Sequence, residues 1–225
     1  MDKSKVVIAI DGPAGAGKST VSKMLARSLG LRYLDTGAMY RCLAYHALRS
    51  GLAVTDGDEA AELLDSIQIE FGIGEPQPVF LNGVDVTSEI RSPEIGEAAS
   101  ALSQYSPVRT KLVERQKELV SHGGVILEGR DVTTVVAPHA TLKIYMTASL
   151  EERAKRRLGE FVAKGVDGSF QDVRSQIQNR DHRDINRDDS PLTVAEDAVV
   201  VETAEHTPEE VCQIIVKHLE RVLGG

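Results

Sequence analysis

The sequence predicts an α/β fold: a parallel sheet flanked by helices, with a small antiparallel insert. Three observations predict it. Short apolar runs alternate with amphipathic helical stretches along most of the chain, the pattern of strands covered on both faces. Residues 67–91 break that rhythm and alternate polar with apolar at period two. The length of 225 residues, with 41% hydrophobic and 27% charged residues, suits one ample globular domain with inserts.

Val6-Val7-Ile8-Ala9-Ile10 is a continuous, partly β-branched apolar run ending at Asp11-Gly12, and it reads as a central strand. A helix is expected over 18–29, with Val21, Met24, Leu25 and Leu29 on one stripe. A short strand at 32–34 leads into Asp35-Thr36-Gly37 and a second helix reaching about residue 50. Residues 57–66 read as helix. In the insert, Asn82-Gly83 is a hairpin turn signal, because both residues tolerate positive φ. Residues 93–122 are helical, broken at Ser106-Pro107, since proline suits only the first turn of a new helix. Strands follow at 124–127 and 141–146, then charge-dense helices at 149–164 and 171–184, then a short buried strand at 198–201. The closing helix, 207–223, opens on a capping box with Thr207 as N-cap, Pro208 at the first position and Glu210 at the third.

Lysine and arginine total 26 and aspartate and glutamate 34, a balance of −8. That charge opposes sequence-independent binding to nucleic acid or to an anionic membrane, so small-molecule partners are expected. A local cationic site for a small anion remains open. Sixteen of the 26 cations are arginine, the better bidentate partner of phosphate. Cys42 and Cys212 lack metal or redox spacing and read as free thiols of a reducing compartment. The apolar run at 6–10 is too short for a signal core, and no stretch approaches the length of a membrane span. A cytoplasmic protein is expected. The six histidines show no ligand spacing, and none is assigned a metal.

Gly12-Pro13-Ala14-Gly15-Ala16-Gly17-Lys18-Ser19 fits G-x-x-x-x-G-K-[ST], between an apolar strand and a helix start, where the physics requires it. The glycines let backbone N–H groups turn inward around a phosphate, and the helix N-terminus adds a favourable dipole. Lys18 is suited to bridge the β- and γ-phosphates of a nucleoside triphosphate, and the Ser19 hydroxyl to ligate Mg²⁺. Such a loop specifies a triphosphate, not a reaction. The D-x-x-G and N-K-x-D signals of a GTPase are absent from the chain. A motor or transporter ATPase would need a larger chain and an apolar strand ending in Asp, whereas residues 125–127 end in Glu128-Gly129-Arg130-Asp131. A small, arginine-rich P-loop protein of this kind reads as a kinase of a small anion.

An acceptor that is itself a phosphate monoester carries its own anionic nucleophile near neutral pH, its second pKa being about 6. It needs no general base. It needs arginines to screen two repelling phosphates while water is excluded. Arg41 lies in Asp35-Thr36-Gly37-Ala38-Met39-Tyr40-Arg41, where Asp35 or Thr36 serves equally as an N-cap and Arg41 as a surface residue. Arg130 and Asp131 follow a strand, at the carboxyl edge where ligands of open α/β sheets gather. Arg153, Arg156 and Arg157 share a helical face, either a solvated charged face or a lid reaching over the triphosphate. Arg180, Asp184 and Arg187 share another, mixing arginine with aspartate as sugar and phosphate recognition would want; an exposed charged face is the alternative. Two rival functions stay open: a kinase for a hydroxyl acceptor with Asp35 as base, and a nucleotide-sensing P-loop module that needs no convergent arginines.

Taken together these segments resemble the bacterial cytidylate kinases, a family of nucleoside monophosphate kinases. The matching residues are Ile10-Asp11-Gly12 through Ser19-Thr20, Leu34-Asp35 through Arg41, Gly129-Arg130-Asp131 with Thr134-Val135-Val136, Glu151-Glu152-Arg153-Ala154 with Arg156-Arg157, and Arg180-Asp181 through Asn186-Arg187. The likeness runs in order over nearly the whole chain. It implies transfer of a phosphoryl group from ATP to CMP or dCMP with Mg²⁺, in a monomer. It implies a P-loop kinase sheet, an acceptor-binding part over about 36–105 that includes the 67–91 insert, and a helical lid over about 150–170. It implies that Gly12, Pro13, Ala14, Gly15, Ala16, Gly17, Lys18, Ser19 and Thr20 hold ATP, and that Arg41 and Arg130 hold the acceptor phosphate. Thr36, Ser100, Arg109, Asp131 and Arg187 would surround the cytosine, and Arg180 and Asp184 would meet the sugar. Arg153 and Arg157 would close over the phosphates of ATP, making Lys18, Arg130, Arg153 and Arg157 the catalytic set. Ser100 and Arg109 rest on the resemblance alone. Cytosine offers an amino donor at position 4, which suits a carboxylate such as Asp131, and acceptors at N3 and O2, which suit Arg109; uracil would face that carboxylate with an acceptor. Two positions depart from the family pattern, Glu128 in place of Asp and Thr133 in place of Gly.

Overall fold

The computed structural model describes residues 3–52, 56–163 and 165–224. The first strand, β1 (Val7–Asp11), is buried along its last four residues, as a run apolar on both faces must be. The chain turns through the glycine loop into α1 (Lys18–Leu29), which ends on a left-handed Gly30. β2 (Arg32–Asp35) passes directly into α2 (Thr36–Arg49), with the Asp35 carboxylate accepting the Ala38 N–H at 3.0 Å as N-cap. α3 (Gly57–Ser66) is capped in the same way by Asp56. The period-two region forms β3 (Ile69–Phe71), β4 (Val79–Leu81) and β5 (Val84–Asp85), an antiparallel sheet whose last turn has φ of 50° at Asn82 and 76° at Gly83. α4 (Pro93–Leu102) and α5 (Ser106–Ser121) follow, separated near the proline as expected.

β6 (Val125–Gly129) leads into a π-helical turn, Val132–Val136, that the sequence did not announce. Then come β7 (Leu142–Thr147), α6 (Leu150–Ala163), α7 (Phe170–Asn186), β8 (Val199–Glu202) and α8 (Pro208–Gly224). The capping box forms: Glu210 Oε2 accepts the Thr207 N–H at 2.8 Å, and Thr207 Oγ1 accepts the Glu210 N–H at 3.3 Å.

The large sheet runs β2–β6–β1–β7–β8, and β1 pairs in parallel with both β6 and β7. β1 is therefore central, and the glycine loop leaves the middle of the carboxyl edge. The chain forms two compact units, one made of residues up to Tyr33 together with Val120 onward, the other of Leu34–Leu119. The first has a core of Ile8, Ile10, Leu25, Ile126, Ile144 and Ile215, and a second cluster where Ala14, Ala154, Phe161, Val173 and Ile177 pack α6, α7 and the loop together. The second unit packs Met39, Leu43, Leu64, Ile90, Leu102 and Leu112. Both cysteines are free. Among the described residues no helix is long and apolar enough to cross a membrane.

Candidate active site

The phosphate loop is shaped by what surrounds it. Gly12 has φ of 149°, and a Cβ there would stand 2.0 Å from the Met146 carbonyl oxygen of β7. Only glycine lets the chain turn so close to the neighbouring strand. Lys18 is buried, and its Nζ donates to the carbonyls of Gly12 at 2.7 Å and Pro13 at 2.9 Å. Burial pushes the Lys18 ammonium down to about 7, with the nearby charges of Arg130 and Arg180 acting the same way and Glu128 and Asp11 opposing. An anion beside Lys18 would favour its charged form. Ser19 and Thr20 are exposed at the head of α1, and their side chains are open to a ligand.

The loop is also gripped by side chains. Asp181 of α7 accepts the Ala14 N–H at 3.1 Å, while Arg153 of α6 donates to the Ala14 carbonyl at 2.9 Å and to Asp181 at 2.5 Å. Arg153, expected over the phosphates, is thus buried against the backbone of the loop that would hold them. Arg156 donates to Thr203 Oγ1 at 2.9 Å and to the Thr203 carbonyl at 2.6 Å. Arg157 pairs with Glu160 at 2.8 Å and lies over the Phe161 ring at 4.9 Å. Three arginines on one helical face therefore have three different partners.

At the carboxyl end of β6, residues distant in sequence converge. Arg130 Nε donates to Asp184 Oδ2 at 2.9 Å, and Arg187 stands 3.8 Å from Asp184 Oδ1 and 3.6 Å from Asp131 Oδ1. Asp131, Asp184 and Arg187 are all buried. Burial alone would raise the Asp184 carboxyl, but Arg130, Arg180 and Arg187 outweigh it and hold it below the ordinary carboxylate range. The helical face through 180, 184 and 187 is real up to Asn186, with Arg187 as the C-cap residue.

In the second unit, Arg41 pairs with Asp35 at 2.5 Å. Burial raises the Asp35 carboxyl, yet Arg41 and Arg91 more than offset that and leave it below its ordinary value. Thr36 is buried at the start of α2. Ser100 on α4 is buried with its Oγ lacking a hydrogen-bond partner among the described residues, an arrangement suited to a polar ligand. Arg109 on α5 donates to the Ser103 carbonyl at 3.3 Å and lies over the Tyr40 ring at 5.9 Å. Beside Arg41, burial pushes the Cys42 thiol up to about 12, which keeps it protonated.

Sequence reasoning assigned no role to Asp181 or Asp11. Asp11 ends the central strand, is fully buried, and accepts the N–H groups of Val132 at 3.0 Å and Thr133 at 2.7 Å. The available signal was a charged residue closing a run that is otherwise apolar on both faces. For Asp181 the signal was weaker, one aspartate in a charged run.

A family model described as cytidylate kinase matches residues 8–221. The chain belongs to the cytidylate kinase family. Cytidylate kinases from Listeria welshimeri (46% identical, covering 98% of this chain and 99% of that one) and Ligilactobacillus salivarius (45%, covering 96% and 97%) are among its relatives. A third, from Caldicellulosiruptor bescii, is 45% identical and covers 97% of both chains. A gluconokinase from Sinorhizobium meliloti shares the fold, with a TM-score of 0.50, 11% identity and coverage of 97% of this chain and 94% of that one. This member of the cytidylate kinase family is therefore a phosphotransferase built on a parallel P-loop sheet. Glu128 and Thr133, the two positions singled out beside the site, both make contacts with residues distant in sequence: the Tyr33 hydroxyl donates to Glu128, and the Thr133 hydroxyl donates to Asp11 at 2.6 Å.

Proposed function

We propose that the chain transfers the γ-phosphoryl group of ATP to CMP or dCMP, giving ADP and CDP or dCDP. The observation that carries this reading is the cluster of Arg130, Asp131, Asp184 and Arg187 at the carboxyl edge, with the charges of Arg130 and Arg180 felt at Lys18. Two anionic phosphates meeting near Lys18 would repel each other, and these arginines are suited to screening them. In this reading residues 12–20 hold ATP, Arg41 and Arg130 hold the acceptor phosphate, and Arg180 and Asp184 meet the sugar. Thr36, Ser100, Arg109, Asp131 and Arg187 recognise cytosine, and Arg153 and Arg157 act on the donor phosphates. Arg153 does so by bracing the Ala14 peptide. The exposed Ser19 hydroxyl is a hard oxygen donor of the kind Mg²⁺ takes, alongside phosphate oxygens and water. Bound there, Mg²⁺ would neutralise charge developing on the phosphates. The negative net charge supports small-molecule partners rather than nucleic acid, and free cysteines support a reducing, cytoplasmic setting.

A hydroxyl acceptor would need a proton acceptor, and Asp35 is committed to Arg41 and to capping α2, which disfavours that rival. A coupled assay of diphosphate formation with CMP, dCMP, UMP, AMP and GMP tests the reading. Turnover is expected to be highest with CMP and dCMP, and Asp131→Asn is expected to relax the preference for CMP over UMP. Equal turnover of CMP and UMP by the unmodified enzyme would overturn it.

A further inference from the structure

We propose that Asp11 and Thr133 form a clamp that positions Asp131 and thereby sharpens the choice of cytosine over uracil; this rests on the proposed role of Asp131 in base recognition. Asp11 is the last residue of the central strand, and pairing with Gly129 on one side and Tyr145 on the other fixes its backbone. Its carboxylate points away from the sheet into the turn that follows Asp131. Oδ1 accepts the Val132 N–H at 3.0 Å; Oδ2 accepts the Thr133 N–H at 2.7 Å and the Thr133 hydroxyl at 2.6 Å. All three donors come from the two residues directly after Asp131.

The turn itself is a closed unit. The Asp131 carbonyl accepts the N–H groups of Val135 at 2.8 Å and Val136 at 3.3 Å, and the Val132 carbonyl accepts that of Ala137 at 2.8 Å. Asp131 sits outside helical geometry, at φ −143° and ψ 19°, and its side chain does not cap the turn. Its carboxylate faces Arg187 at 3.6 Å. Asp131 is thus held from two sides: its backbone by the turn anchored to Asp11, its carboxylate by Arg187.

The Thr133 hydroxyl is a donor that neither a glycine nor a valine would provide. A hydrogen bond to a buried carboxylate has strict length and direction, so it fixes the turn more tightly than the two backbone donors alone. Recognition of the cytosine amino group by one carboxylate depends on that placement, because a small misplacement at a polar site costs selectivity steeply. Thr133 is a positioning residue in this scheme. It touches Asp11 and not the substrate.

Steady-state kinetics with CMP and UMP on the intact enzyme tests the clamp. Thr133→Val keeps the shape and removes the donor, and Thr133→Ser keeps the donor. Thr133→Val is expected to lower the CMP-to-UMP ratio of kcat/KM by about tenfold, mainly through KM for CMP, with KM for ATP unchanged. Thr133→Ser is expected to stay within about twofold of wild type. Thr133→Gly, read if the valine variant does not fold, is expected to move the ratio in the same direction. An unchanged ratio in the valine or glycine variant, against a wild-type enzyme that prefers CMP, overturns the clamp alone. Equal loss in the serine and valine variants also overturns it. A wild-type enzyme without preference for CMP overturns the base-recognition reading on which the clamp rests.

Discussion

The glycine loop of the first unit and the helix-borne residues of the second unit solve the problem of placing charge in opposite ways. In the loop the backbone is the instrument: Gly12 turns against Met146, Lys18 folds back on two loop carbonyls, and Asp181 and Arg153 grip the Ala14 peptide from both its N–H and its C=O. In the second unit side chains do the placing: Asp35 caps α2 and holds Arg41, while Arg109 is set by the Tyr40 ring and one carbonyl. The carboxylates differ accordingly. At Asp11 burial, helped by the nearby charge of Asp131, outweighs the hydrogen bonds from Thr133 and Val132, and its carboxyl is raised to about 6. Asp35 has two arginines, which outweigh burial and depress it. A site made of backbone leaves a composition signature at fixed spacing. A site made of side chains on helices leaves almost none, since any helix can carry an arginine.

The largest effect is expected where the backbone has no freedom. Gly12→Ala adds a Cβ 2.0 Å from a main-chain oxygen and strains φ. A destabilisation on the order of 5 kcal/mol in denaturant unfolding, with loss of ATP binding, is expected. A variant that binds ATP normally would break the claim that this loop depends on its backbone.

Next in size, Arg153→Ala leaves Asp181 buried without its cation and should cost about 3–5 kcal/mol. Arg157→Ala, on the same helix face but in an exposed pair, should change stability by less than about 0.5 kcal/mol while lowering turnover. Thermal melts of the two variants, with turnover measured alongside, separate a brace from a side chain that acts only on substrate.

The two carboxylates predict opposite pH slopes. Asp11 holds its proton more tightly when folded. Its contribution is therefore fully present below its unfolded pKa of 3.8 and lost as pH rises through about 6. The stability difference between wild type and Asp11→Asn should shift against wild type by about 3 kcal/mol across that window. Asp35 is depressed, so its contribution is present above the unfolded carboxylate pKa and lost as pH falls below it. Asp35→Asn should erase that acid-side loss. Urea melts from pH 2 to 7 measure both, and slopes of the same sign would dissolve the contrast.

The smallest effect sharpens the comparison from the other side. Gly96 lies inside α4 with open space where a Cβ would stand. Gly96→Ala should raise stability by about 0.5–1 kcal/mol without changing kinetics, as calorimetry and the coupled assay would register.

Much of the fold was legible because its elements are locally determined. The apolar run before Gly12 announced β1, Asn82-Gly83 announced the insert hairpin, and Thr207 with Glu210 announced the start of α8. The π turn at Val132–Val136 was not legible, since its anchor is the Asp11 carboxylate more than a hundred residues away in the chain. The partners of Arg153, Arg156 and Arg157 were equally hidden: helical spacing places them on one face but says nothing about which neighbour each meets.

By itself, the sequence determined the phosphate loop, the order of strands and helices, the caps and the insert. Each of these depends on φ preferences, side-chain periodicity or contacts within a few residues. Tertiary structure decided which charges are buried, and with whom: Asp181 beneath the loop, Asp184 among three arginines, Asp11 under the turn that carries Asp131. Burial and long-range pairing are properties of the packed chain. A buried charge needs its partner in place before it can be tolerated, and only the assembled sheet and helices bring those partners within hydrogen-bond reach.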